Sequence, residues 1–163
     1  MSTNQELFVQ YLKKKGVGPT MQKQLTKEEL IQLSDLFTQP DVDITTKATM
    51  LTAILTLEKN PDESAWLEQL HTNPSHTLPN QLHSLLDPSN TSHPLLPAIH
   101  KAIQHQDLTE PECLTHFQSL FDDTVPTYLK ASFLEAERLK RESPIENQTC
   151  FDVMWDHSDH HTT

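Results

Sequence analysis

Glycine is almost missing: Gly16 and Gly18 are the only two in 163 residues. Loops that cradle phosphate, and tight turns with positive φ, depend on glycine. A nucleotide-binding α/β domain is therefore hard to build from this chain. Basic side chains are the second shortage, with 12 Lys and Arg against 23 Asp and Glu and a net charge of −11. Affinity for nucleic acid and for anionic lipid rests largely on Lys and Arg facing phosphates, so neither nucleic acid nor a membrane surface is expected as a partner. Cys113 and Cys150 stand alone without CxxC spacing, which argues against a disulfide framework. The N-terminal MSTNQELFV lacks the apolar core of a secretion signal, and no apolar run approaches the ~20 residues of a membrane span. A cytoplasmic protein is the expectation. Aromatics are few as well, six Phe, two Trp and two Tyr, so any core is modest.

What the chain has instead is proline, eleven of them, punctuating short amphipathic stretches. Leu7, Phe8, Tyr11 and Leu12 fall on one face of a helix over residues 6–15, closed by three lysines and Gly16. Thr26 and Glu29 have the spacing of a capping box and open a helix striped by Leu30, Leu33, Leu36 and Phe37. The next helix, about 44–59, is apolar nearly all round through Ala48, Met50, Leu51, Ala53, Ile54, Leu55 and Leu57, which predicts a central element. Asn60, Pro61 and Glu63 start another helix, as cap, first residue and box partner. Residues 73–93, broken by Pro74, Pro79 and Pro88, read as a linker with one short helix over 81–86. Helices follow at 94–106, from Thr109, from Pro126 and from Ser143 to about Trp155.

The second half echoes the first. At an offset of 83 positions, which carries Lys47 onto Lys130, the segment 25–64 keeps Leu25, Thr26, Glu29, Val42, Lys47, Ala48, Leu51, Ala53, Pro61 and Glu63. These identities sit at helix starts and apolar helix positions, the places that set a fold. The expected architecture is all-α: two consecutive, pseudo-repeated small helical bundles of about eight short helices. The first occupies 1–72, the linker 73–93, the second 94–156, and a polar tail 157–163. The helix of the second copy carries a narrower apolar face, Leu129, Phe133, Ala136 and Leu139. Glu135 with Arg138, and Glu137 with Arg141, have helical spacing on its other side. That helix should be half exposed or covered by a partner, and Glu135, Arg138, Lys140 and Arg141 are the candidate interaction surface.

Groupings that could carry chemistry are sparse. His157 with His160 or His161 could place two imidazoles on one helical face, but at a terminus with nothing to preorganise them, so no specific metal site is expected. Cys113 and His116 are three apart, yet Glu112, Asp122 and Asp123 surround them with the charge that opposes a thiolate. No catalytic residue and no cofactor is assigned.

The stretches LTKEELIQLSDLF…TTKATMLTAILTLEKNPDESAWL and LTEPECLTHFQSLF…YLKASFLEAERLKRESPIENQTCFDVM resemble one known domain. It is the N-terminal helical domain of the family-3 glycosyltransferases, the group of anthranilate phosphoribosyltransferase and pyrimidine nucleoside phosphorylase. Ala131, Phe133, Leu134, Ala136, Arg138, Lys140, Pro144 and Glu146 match its pattern. In the first copy Ala48, Leu51, Ala53, Pro61 and Glu63 do, while Leu55 and Leu57 replace the basic pair. The resemblance implies a domain that mediates dimerisation and closes against a larger α/β domain, whose Gly-rich loops bind the phosphorylated substrate. This chain carries no such loop, so the family's catalysis is not expected of it alone. The expectation is a non-catalytic interaction or dimerisation module, working as a homodimer or with a helical partner subunit. The alternative is the detached helical subunit of a phosphoribosyltransferase or nucleoside phosphorylase, active only with a separate α/β chain.

Overall fold

Side-chain caps cut the chain into helices. In the computed structural model, residues 2–15 and 24–157 are described, and all their regular structure is helical. Nine α-helices run in order: α1 Thr3–Lys15, α2 Lys27–Phe37, α3 Ile44–Thr56, α4 Pro61–Thr72, α5 His83–Leu86, α6 Leu95–Ile103, α7 Glu110–Ser119, α8 Thr127–Lys140 and α9 Pro144–Asp156. Eight of these make up the two halves, and the single turn α5 is the short helix expected between them. Full capping boxes open α2 (Thr26, Glu29), α4 (Asn60, Glu63), α7 (Thr109, Glu112) and α9 (Ser143, Glu146). Each satisfies two backbone N–H groups that a helix start leaves orphaned, at about 1 kcal/mol per cap.

The third residue of α4 and of α9 does more than cap. Glu63 Oε1 accepts from Asn60 N at 3.0 Å while its Oε2 accepts from Leu25 N at 3.3 Å. Glu146 repeats this with Ser143 N at 2.7 Å and Leu108 N at 3.2 Å. In each half one buried carboxylate ties the start of the last helix to the residue just before the start of α2 or α7. Both carboxylates are buried, and each has a buried lysine beside it. Lys15 at the end of α1 lies 2.7 Å from Glu63, and Lys140 at the end of α8 pairs with Glu146. The helix bounds of α2, α3 and α4 fall on the starts of α7, α8 and α9 at the 83-residue offset.

The helices are arranged around α3 and α8, which form the most extensive pairing in the molecule. Eight residues of α3 are buried, as its all-round apolar sequence predicts. α8 is also covered by α6, and α1 lies on α3. Here the structure departs from expectation. α8 is not half exposed: Leu129, Phe133, Ala136 and Leu139 are buried, and so are Ser132, Glu135, Glu137 and Lys140. The cover foreseen from a partner is supplied by α3 and α6 of the same chain. Charged spacing on a helix predicts a face left to solvent or to a partner, but ion pairs within the chain let Glu135 and Lys140 be buried.

The segment 73–93 is likewise not a loose connection. Leu78, Leu82, Leu85 and Leu86 enter the main core, which runs unbroken through both halves. Each buried leucine contributes roughly 1.5–3 kcal/mol against leaving it in water. Histidines hold the segment in place: His100 Nε2 donates to Ser84 O at 2.9 Å and His83 Nε2 to Leu78 O at 3.3 Å. Among the described residues, no helix is long and apolar enough to cross a membrane.

Candidate functional site

The four residues expected to form a surface separate into two roles. Arg138 is exposed and holds Glu135 at 2.7 Å; the Glu135 carboxyl is itself buried, and burial pushes its pKa up against the pull of that guanidinium. Lys140 is buried and turned inward, between Glu146, Asp107 at 3.0 Å and Glu137 at 3.8 Å. Arg141 is exposed and ends α8 with φ of 72°, a conformation that favours glycine. Glu135 and Lys140 therefore serve the interior, and no continuous surface joins the four.

The carboxylate cluster around Lys140 has an electrostatic consequence. Glu137 is completely buried, and no donor reaches either carboxyl oxygen. Burial first, and the neighbouring Glu146 second, push its pKa up to about 8. A protonated Glu137 can in turn donate to Glu146. Burial raises Glu146 too, but the Lys140 ammonium and the Ser143 and Leu108 amides outweigh it and hold Glu146 below the usual range. One acid stays neutral and the other charged, as expected for two carboxyls sharing a buried site. This is a folding device: one lysine cannot compensate two buried anions.

The other candidates for chemistry fall away on geometry. Cys113 is buried, and desolvation together with Glu146 and Glu137 pushes its thiol up to about 11, away from a thiolate. His116 packs on the Phe133 ring at 6.3 Å, and burial lowers its pKa. His157 stacks flat on Phe121, 3.9 Å between ring centroids, while His160 and His161 lie outside the described residues. Among the described residues no three His, Cys, Asp or Glu side chains are grouped to hold a metal.

Two features remain. The first is a groove of about 700 Å³ between α2 and α4, lined by Leu30, Ile31, Ser34, Thr38, Ala65 and Trp66 among others. Trp66 Nε1 donates to Ser34 Oγ at 2.5 Å. At the offset positions of the second half, Phe117 stands for Ser34 and Phe121 for Thr38. There α7 and α9 pack far more closely than α2 and α4 do.

The second feature is an exposed apolar surface. Among the described residues eight large hydrophobic side chains are exposed, and six of them lie on α7, on α9 or just beyond α7: Leu114, Phe121, Ile145, Phe151, Met154 and Trp155. Phe151, Met154 and Trp155 are 61%, 58% and 52% exposed, at the i, i+3, i+4 spacing of one helical face. The opposite face of α9 holds the buried Val153 and Glu146. Phe151 and Trp155 stack at 6.2 Å, and the His157–Phe121 stack joins the ends of the two helices. Neither α7 nor α9 contains Lys or Arg, whereas Asp122, Asp123, Asp152 and Asp156 are exposed around the patch. The sequence carried this signal in the spacing of Phe151, Met154 and Trp155, but Val153 between them gave α9 an ordinary core side that hid the outer one.

No curated protein and no solved structure matches the chain. Residues 96–158 match the helical bundle domain of the glycosyl transferase family. That stretch covers α7, α8, α9 and most of α6, and leaves out residues 6–72, for which the residue pattern predicts the same domain. The second half of this chain is thus similar to the helical bundle domain of the glycosyl transferase family.

Proposed function

We infer that the chain is a non-catalytic interaction module built from two copies of the glycosyl transferase helical unit. It engages a partner through the outer surface of its second copy. The observation that carries this reading is the gathering of exposed apolar side chains on α7 and α9. Patches of this kind on soluble domains usually mark interaction sites. The equal helix starts, and the paired Glu63 and Glu146 clamps at the 83-residue offset, support the duplication. The helix otherwise best suited to pair with a second chain, α8, is already occupied by α3. A homodimer through that helix is therefore disfavoured, and a separate partner subunit is favoured.

The match at residues 96–158 favours a second reading, in which the partner is a catalytic α/β chain and the module is its detached helical part. Both readings place the contact outside the α3–α8 pair. The tagged chain purified from its own cells should bring one protein in fixed ratio, and a double variant Phe151→Glu, Met154→Glu should come alone. A chain that sediments as a bare monomer in both forms, with nothing bound, overturns the module reading. A glycosyl transfer activity that appears only in the wild-type complex decides for the second.

A further inference from the structure

The chemistry of the α7–α9 surface narrows its partner, on the premise that this surface is a docking site. Its centre is a ridge, Phe151, Met154 and Trp155, on the face of α9 turned away from the core. Its rim is mostly acidic: Asp152 and Asp156 on α9, Asp122 and Asp123 beyond α7, with no Lys or Arg on either helix and Lys130 of α8 as the cation that acts on Asp122. Lys101, the cation nearest α7 in the ion-pair pattern, is engaged by Glu112 at 2.8 Å. A second copy seated on the same patch would set these carboxylates against their own duplicates, and the whole chain carries −11. Like charges facing across an interface are costly. A methionine and two aromatics on one helix form an adaptable apolar strip. An amphipathic helix laid along it would read it through anchors at i, i+3 or i+4 and i+7.

We propose that this surface binds a basic amphipathic helix, whose apolar face covers Phe151, Met154 and Trp155 while its Lys and Arg meet the surrounding aspartates. Two terms contribute. The apolar strip gives the affinity, and the mostly acidic rim selects orientation and excludes acidic competitors, with an effect that falls as salt rises.

The test uses the full chain and two synthetic helical peptides of about five turns, each with the same Leu and Phe face. One carries Lys on its polar face and the other Glu. Binding is read by anisotropy of a labelled peptide. The lysine peptide should bind at low salt and at least tenfold more weakly at high salt, and the glutamate peptide should not bind. Phe151→Glu with Met154→Glu should weaken the lysine peptide at least tenfold. Both side chains are mostly in solvent, so the thermal midpoint should hold. Ile31→Glu, at an exposed position on α2 of the first half, should leave binding unchanged. Equal binding of the two peptides, or an equal loss with Ile31→Glu, overturns the proposal. So does a dimer in sedimentation that disappears with the double variant, which would make a second copy the occupant. If neither peptide binds but a cellular partner is still lost with the double variant, the basic helix is wrong and the docking surface stands. If neither peptide nor partner is affected, both fall.

Discussion

Glu137 shows how one residue can set the pH range of a fold. Its pKa in the native state, about 8, lies above the ordinary 4.5. Between those values the folded chain keeps a proton that the unfolded chain has lost. The stability this group contributes is whole below about pH 4.5 and drains away as pH rises through 8. Glu112, pulled down to about 2 by Lys101 and the Thr109 amide, works the other way: its contribution is present above 4.5 and lost on acidification. The thermal midpoint should therefore peak in mildly acidic solution and fall as pH rises to about 8. Glu137→Gln should flatten the alkaline limb while leaving the acid limb in place. A variant whose profile falls as steeply as wild type above pH 6 would show that another group governs it.

At the scale of the element, the two Glu–Lys clamps are unequal. Glu63 has Lys15 as its sole ion-pair partner among the described residues, both fully buried, and it accepts two backbone amides. Removing Glu63 leaves a buried cation and two orphaned N–H groups, a loss of roughly 3–5 kcal/mol. Around Lys140, Asp107 and Glu137 remain if Glu146 is removed, and Glu137 can ionise to replace it. Glu63→Ala should thus cost clearly more than Glu146→Ala in urea unfolding. Equal costs would mean that Glu137 does not take over. Much of this element-level plan was legible beforehand. Thr26, Asn60, Thr109 and Ser143 announced their helices because capping is a local matter, settled within four residues. The all-round apolar sequence of α3 announced its central place. What stayed hidden was non-local. Nothing in the spacing of Glu135, Glu137 and Lys140 said that lysine and carboxylates would be buried together, since the compensating Asp107 and Glu146 come from other elements. The apolar side of α9 was equally mute, because sequence does not say which of two faces meets the core.

For the whole molecule, the decisive fact is that one core serves both halves. Met50 and Phe133, related by the 83-residue offset, belong to the same buried cluster, together with Leu82 and Leu85 from the stretch between the halves. The chain should unfold in a single cooperative transition, with calorimetric and van't Hoff enthalpies in agreement. Two resolved transitions would mean that the halves are independent after all. The same integration moves the search for function outward. With α3 and α8 spent on each other, the α7–α9 ridge and the groove beside Trp66 are the features of the described surface on which to test for a partner first.

The mutual cover of α3 and α8 also bears on how such a chain can change through descent. A bulkier side chain on one of these helices must be answered by a smaller one on the other, because no solvent lies between them to absorb the difference. The two helices are not free to diverge separately. Among related chains, positions facing each other across this pair would vary in concert, and the loss of either half would strip the other of its main wall.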